Sequence, residues 1–237
     1  MKTKFHIIFW TALVFFLCDT AGQRSRVKND PAYDKKPLHF GFTVGLNTMD
    51  FGAVISESAY LDTALFADVN RLKPGFNINI VSNLRMNEYF DLRFLPGIGF
   101  GQRNLVYYSD RKKVGTVQKL ESSYLEFPLV VKYKSTRINN YRPYLLGGLN
   151  YRIDLAARKE YDDAEDLYLR LKRSDIYYEI GFGIDFYLRY FKFSTELKLA
   201  TGTRDILMDE PNATHPEYVN AVGRLRSNIL ILSFHFE

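Results

Sequence analysis

Cysteine is nearly absent. The 237 residues contain one, Cys18, at the end of a short apolar run, Phe5 to Leu17, that follows Lys2 and Lys4. The small residues Thr20-Ala21-Gly22 come next. A positive start, a short apolar run and a small-residue site make residues 1–22 a cleaved export signal, with Gln23 first in the mature chain. A lipoprotein signal wants a small residue where Leu17 stands, so the ordinary signal is the reading. Cleavage removes the only cysteine, which excludes disulfides and a thiol nucleophile. Beyond residue 22 there is no run of about eighteen apolar residues, so no membrane-spanning helix is expected. Histidine is scarce, with His39, His215 and His235 surviving processing. The formal charge is +5, with acidic and basic residues interleaved rather than gathered into a basic stripe. That argues against a nucleic-acid partner.

Aromatic residues are plentiful, with 19 Phe and 17 Tyr, and they favour strands. The clearest pattern lies in Arg173 to Thr203. Ile176, Tyr178, Ile180, Phe182, Ile184, Phe186 and Leu188 alternate with Tyr177, Glu179, Gly181, Gly183, Asp185 and Tyr187. After a turn near Arg189-Tyr190, Phe191, Phe193, Thr195, Leu197 and Leu199 alternate with Lys192, Ser194, Glu196, Lys198 and Ala200. Successive side chains of a strand point to opposite faces, so this is a hairpin with one apolar and one charged face. A turn at Arg189-Tyr190 sets Gly181 beside Lys198 and Gly183 beside Glu196.

The same alternation recurs from Leu38, after Pro74, around Leu92–Phe100, Leu125–Tyr133 and Leu145–Ile153, and at Leu230–Phe236. The count is eight strands. Residues 23–37, with Pro31 and Pro37, read as a short mobile lead-in. Long connections are expected over Asp50–Arg71 (with a helical turn or two in Ala59–Val69), Asn104–Leu120, Ala156–Lys172 and Thr203–Val222. Short turns are expected at Met86-Asn87-Glu88, Asn139-Asn140 and Arg189-Tyr190.

Alternation does not say which face is outside: a lipocalin-like barrel is apolar within, an outer-membrane barrel apolar without. The export signal, the even count and the alternation of long loops with short turns favour the second. Tyrosines near strand ends suit membrane interfaces: Tyr89, Tyr133, Tyr141, Tyr187 and Tyr190 at one end, Tyr107, Tyr108 and Tyr124 at the other. The fold expected is all-β: an eight-stranded antiparallel transmembrane β-barrel over residues 38–237, with long extracellular loops, short periplasmic turns and both termini in the periplasm.

Eight strands enclose a space that side chains fill. Buried charges must be paired and hydrogen-bonded, so Arg93, Lys132, Arg152 and Lys198 should meet Glu126, Glu179, Asp185 and Glu196 in a plugged polar lumen. Pro96 and Pro128 interrupt two neighbouring strands, where each removes a ladder donor. With Arg103 beside Glu121 they fall at nearly one height, which suggests a bulge or weak seam; two tolerated kinks are the simpler reading.

The sequence offers no catalytic motif, no cofactor fingerprint and no metal-ligand spacing. Gly97, Gly99 and Gly101 lack dinucleotide-loop spacing and a following helix. Ser233 and His235 share a face, faintly like a hydrolytic pair, but point to the lumen without an evident acid; a packed core histidine is the plainer reading. The acidic run Glu160, Asp162, Asp163, Glu165 and Asp166 lacks an EF-hand's spacing and reads as a solvated loop. Outer-membrane lipid surrounds such a barrel, and lipopolysaccharide phosphates would suit the basic run Arg111-Lys112-Lys113.

Several blocks carry a family likeness. They are Ala21-Gly22-Gln23, Leu38-His39-Phe40-Gly41-Phe42, Leu95-Pro96-Gly97-Ile98-Gly99-Phe100, Tyr124-Leu125-Glu126-Phe127-Pro128-Leu129, Tyr144-Leu145-Leu146-Gly147-Gly148, and Tyr178-Glu179-Ile180-Gly181-Phe182-Gly183-Ile184-Asp185. With them the chain resembles the PorT family of Bacteroidetes outer-membrane barrels. The blocks are shared across a wider superfamily and specify fold more than role; chain length and sparse decoration favour PorT. The resemblance implies an accessory or assembly role in the type IX secretion system, which moves folded cargo across the outer membrane and in many species serves gliding. It implies partners among other components of that system and no catalytic residues. One departure is Glu237 after Phe236, where many such barrels finish on an aromatic residue.

Overall fold

The computed structural model describes residues 28–55, 65–69, 73–109, 112–156, 172–206 and 222–237. After one 3-10 turn at Tyr33–Lys35 the strands are β1 (Leu38–Ile55), β2 (Leu65–Val69), β3 (Pro74–Arg85), β4 (Phe90–Phe94), β5 (Gly97–Ser109), β6 (Lys112–Lys134), β7 (Tyr141–Asp154), β8 (Ser174–Tyr187), β9 (Lys192–Gly202) and β10 (Val222–Phe236). Neighbours in the sequence pair antiparallel around the wall, and β1 closes the ring by pairing with both β10 and β3. Thus Phe42 lies between Phe236 and Ile80. β4 and β5 are two lengths of one wall strand, and β2 pairs with β5 beyond the β3–β5 rungs, on the same edge of β5 as β3. The wall is a closed eight-stranded antiparallel barrel. Closure matters because lipid offers no hydrogen-bond partner for an open edge.

The two faces are sorted as the alternation requires. Phe40, Ile80, Leu145, Ile180 and Phe182 project outward and are exposed, whereas Arg93, Lys132, Arg152, Glu179 and Glu196 point inward and are buried. Apolar out and charged in is the pattern of a barrel whose outer solvent is hydrocarbon. Aromatic rings pack on this part of the wall: Phe42 stacks on Phe236 across the closing β1–β10 seam at 4.9 Å, and Phe193 on Phe234 between β9 and β10 at 6.2 Å between ring centres. Among the described residues no helix is long and apolar enough to cross a membrane.

The β8–β9 register is the one the turn dictates: Gly181 faces Lys198 and Gly183 faces Glu196. Gly183 is needed for space, since a Cβ there would lie 2.5 Å from the Tyr144 hydroxyl. The hairpin turn closes with Leu188 N donating to Phe191 O at 3.0 Å.

Several expectations are corrected. Residues 65–69 form a strand, not helix; residues 59–64 lie outside the described set. The expected loop at Asn104–Leu120 is mostly strand: β5 and β6 stay paired out to Ser109 and Lys112, with one register shift between Val106 and Tyr108. β1 likewise runs to Ile55 beside β10. Side chains on an extended ribbon do not show the apolar alternation that marks a wall strand, so pattern alone reads such ribbons as loop.

No bulge accompanies the prolines. Arg103 faces Leu120, one residue away from the assumed Glu121. The same register holds on both sides of Pro96, with Phe94 opposite Leu129 and Gly97 opposite Glu126. The lost donors are tolerated because neighbouring rungs remain: Leu95 N donates to Pro128 O at 3.1 Å and Ile80 N to Pro96 O at 2.9 Å. The tyrosine girdle is also incomplete. Tyr89, Tyr133, Tyr141 and Tyr190 are exposed, but Tyr124 and Tyr187 are buried inside.

Candidate functional site in the barrel lumen

The inward faces of the strands build a charge network that runs the length of the barrel. All eight lumen residues named from sequence are buried and in contact with one another or with further charges. Near the end that carries the short turns, Lys132 Nζ lies 2.7 and 2.8 Å from the two Asp185 oxygens, and 3.6 Å over the Tyr144 ring. Ser194 Oγ donates to the same carboxylate at 2.6 Å. In the middle layer Glu196 receives Arg93 at 3.4 Å and Tyr144 Oη at 2.9 Å, with Lys198 at 3.8 Å. Towards the loop end Glu179 meets Lys198 at 2.9 Å, Arg152 at 3.2 Å and Asn150 at 2.7 Å. Arg152 then reaches Glu126 at 3.3 Å.

Sequence reasoning missed much of the rest. Glu237 turns inward and accepts from Arg93 and Lys192, each at 2.8 Å, and from Tyr33 Oη at 2.9 Å. Asp91 holds Lys134 at 2.5 Å and Asn83 at 3.1 Å. Strand parity alone points Asp91, Lys134 and Lys192 inward, so their signal was present in the alternation.

Residues 28–37 carry no such signal, and they are not a free lead-in. They form a floor across the turn end. Asp34 accepts from Arg137 at 3.1 Å, Arg142 at 3.2 Å and the Tyr187 hydroxyl at 3.3 Å. The Tyr33 ring stacks on His39 at 3.9 Å, with Lys192 Nζ 4.7 Å from its centre. Burial, with the Glu237 carboxylate beside it, pushes the Tyr33 phenol far above its ordinary range, so it stays a neutral donor. Asn29 ties the segment to Asn140 and to Tyr187 O.

His235 does have a hydroxyl and an acid, but not the hydroxyl expected. Thr43 Oγ1 lies 2.6 Å from Nδ1, and Glu196 Oε2 lies 3.2 Å from Nε2. Ser233 is two residues away on the same strand, opposite Gly45 and Glu196. Thr43, His235 and Glu196 are all sealed in the packed lumen, so the trio binds strands β1, β9 and β10 together without an approach for a substrate.

Two apolar clusters share the interior. Val81, Leu95, Val130, Tyr144 and Leu146 fill one side; Met49, Tyr124, Tyr177, Ala200, Ile229 and Ile231 fill the loop end. The lumen is therefore packed with paired charges and apolar side chains, not with charges alone. Among the described residues no three acidic or imidazole groups converge on a metal-sized site. The acidic run at residues 160–166 lies outside the described set, as does Arg111; Lys112 and Lys113 begin β6.

A closed barrel with a lipid-facing apolar wall and a packed, charge-paired interior defines an integral outer-membrane protein. The profile of the family described as outer membrane protein beta-barrel domain matches residues 22–207, and the chain belongs to that family. It is a bacterial outer-membrane integral β-barrel protein. No curated protein matches the sequence. Among solved structures, it is similar to the outer membrane protein OprG from Pseudomonas aeruginosa, at 13% identity and TM-score 0.45, over 83% of this chain and 92% of that one. It is also similar to the N-terminal β-barrel domain of Pseudomonas aeruginosa OprF, at 10% identity and TM-score 0.35, over 82% and 96%. A third is AlkL in DMPC lipid bilayers, at 12% identity and TM-score 0.38, over 93% and 95%. Likenesses this distant carry nothing about role.

Proposed function

We propose that this barrel serves protein export by the type IX secretion system, as an accessory or assembly component and not as the conduit. The support for the system is the family likeness in sequence, from Leu38-His39-Phe40-Gly41-Phe42 through Tyr178-Glu179-Ile180-Gly181. The observation that carries the accessory role is the filled lumen, in which Arg93, Lys132, Arg152 and Lys198 each meet a carboxylate within the barrel. A folded cargo has no path through such an interior, so work on cargo falls to the surfaces. In this reading the short turns and the floor of residues 28–37 face the periplasm, and the β5–β6 ribbon faces outward. Partners are other components of the secretion system, with outer-membrane lipid and lipopolysaccharide around the wall. No catalytic step is assigned, because the Thr43–His235–Glu196 trio is sealed.

The deciding experiment is fractionation of a clean deletion strain with complementation. Unprocessed cargo held in the periplasm, and released again by the intact gene, is the expected result. Normal surface delivery of cargo would leave the second reading, an OmpX-like structural or adhesive barrel. That reading draws on the β5–β6 ribbon, paired as far as Ser109 and Lys112; loss of attachment with intact secretion would mark it.

A further inference from the structure

We propose that the lipid-facing wall carries a binding site for a single acyl chain of a membrane lipid, in a groove across β7, β8, β9 and β10. The groove holds about 460 Å³. Leu145 of β7, Ile180 and Phe182 of β8, Leu197 and Leu199 of β9 and Leu230 of β10 line it. Strand pairing arranges these side chains as two rims. Leu145, Phe182 and Leu197 lie on one row of rungs, and Ile180, Leu199 and Leu230 on the next outward-facing row. The bottom between the rims is backbone. It belongs to Leu146, Gly181 and Lys198, which occupy the intervening row. Their side chains do not fill it. Gly181 has none, Leu146 packs in the interior, and Lys198 Nζ lies 2.9 Å from Glu179 inside the barrel.

The groove is open at its β7 end. Gly147 pairs with Ile180 and continues the second row, but it adds no side chain to the rim. A Cβ at Gly147 would meet nothing nearer than Glu179 O at 3.8 Å, so this end stays clear and an occupant longer than the groove leaves by it. The volume is roughly three times the ~150 Å³ apolar cavity that takes up benzene, which is space on the order of a dozen chain carbons. Apart from backbone, the lining is entirely Leu, Ile and Phe. It offers a headgroup neither charge nor hydroxyl, so recognition falls on the chain.

The surroundings select the occupant. The groove is part of the exposed apolar wall on which Phe40, Ile80 and Ile180 meet lipid, so hydrocarbon already lies against its mouth. Inside a bilayer there is no water to expel, and a preference for one position comes from packing. A gap leaves the atoms of its lining without partners. A chain on a flat wall touches one surface, whereas a chain in the groove touches two rims and the backbone below. A second barrel would bring a convex wall, which rests on the rims and leaves the bottom empty. A slender, flexible chain reaches the bottom.

The test is native mass spectrometry of the purified full chain, released from uncharged detergent after incubation with dipalmitoyl phosphatidylethanolamine or, separately, dipalmitoyl phosphatidylglycerol. One retained lipid per barrel is expected with either headgroup. Leu145→Trp, which fills the groove from its first rim, should lower retention about tenfold, the change that follows loss of on the order of ten atom contacts. Phe40→Trp, on β1 of the same outer face, should leave retention unchanged. No retained lipid, retention of one headgroup alone, or equal retention by Leu145→Trp overturns the site. Paired barrels that Leu145→Trp separates would assign the groove to a second copy and overturn it as well. Should Leu145→Trp fail to assemble, the wild type decides by competition between dipalmitoyl and dioctanoyl phosphatidylethanolamine. The longer chains should be retained in preference, and equal retention overturns the proposal.

Discussion

The Asp185 carboxylate on β8 grips Lys132 on β6 across the intervening strand, at 2.7 and 2.8 Å. Both groups are buried, so the pair is stable only as a pair. Asp185→Ala leaves an ammonium group in the lumen without its partner and should cost about 3–5 kcal/mol. The double change Lys132→Met with Asp185→Leu removes both charges and should recover most of that loss. Urea unfolding in lipid or detergent, followed by heat-modifiable migration on gels, measures the difference. Equal destabilisation by the single and double changes would refute the pairing argument.

The floor of residues 28–37 makes a different prediction. Asp34→Ala releases Arg137, Arg142 and Tyr187 together, and should make this segment more sensitive to protease while the barrel stays folded. Conductance should barely change. The Arg93–Glu196 and Lys198–Glu179 contacts above the floor still fill the lumen. Planar-bilayer recordings of the wild type and of Asp34→Ala should both lack large, steady channels. Such channels in the wild type would overturn the plugged lumen altogether.

Glycine positions separate inner from outer space. A Cβ at Gly183 meets Tyr144 at 2.5 Å, whereas one at Gly147 meets Glu179 O at 3.8 Å. Gly183→Val should therefore destabilise by about 1–3 kcal/mol through overpacking, or block assembly. Gly147→Ala should be close to neutral. Folding yield and unfolding midpoint of the two variants check this directly.

How much of this was legible in the sequence follows from what strand alternation encodes. Parity fixes inside and outside for every wall residue, so Arg93, Glu126 and Glu179 could be placed in the lumen, and a two-residue turn fixed the pairing of Gly181 with Lys198. Parity says nothing of residues beyond a strand. Tyr33 and Asp34 sit in a 3-10 turn after an apparently polar lead-in, and only their contacts reveal the floor. Pairs between non-adjacent strands, such as Lys132 with Asp185, depend on how the ring closes and not on spacing. The prolines misled for a related reason: a missing donor looks like a break in one strand, but rungs from both neighbours carry the register past it. Thr43 met His235 instead of Ser233 because β1 closes on β10, a contact between the two ends of the barrel sequence.

The orientation of the faces can be tested at a single height. Ile180 and Glu179 are neighbours in β8, yet Ile180 is exposed on the apolar wall and Glu179 is buried with Lys198 and Arg152. Ile180→Arg places a charge in hydrocarbon and should cost about 2–4 kcal/mol if it lies near the bilayer midplane. Thr195→Arg, on the same outward face but nearer the β8–β9 turn, should cost about 0–1 kcal/mol, because the interface is closer to water. Glu179→Gln keeps the shape but withdraws the charge that Lys198 and Arg152 share, so its penalty should vary little with bilayer thickness. The penalty of Ile180→Arg should fall in thinner bilayers, where the midplane is closer to water. Reconstitution in lipids of two chain lengths, with unfolding free energies measured in each, separates the two. A thickness dependence for Glu179→Gln and none for Ile180→Arg would mean that the apolar face is the inner one.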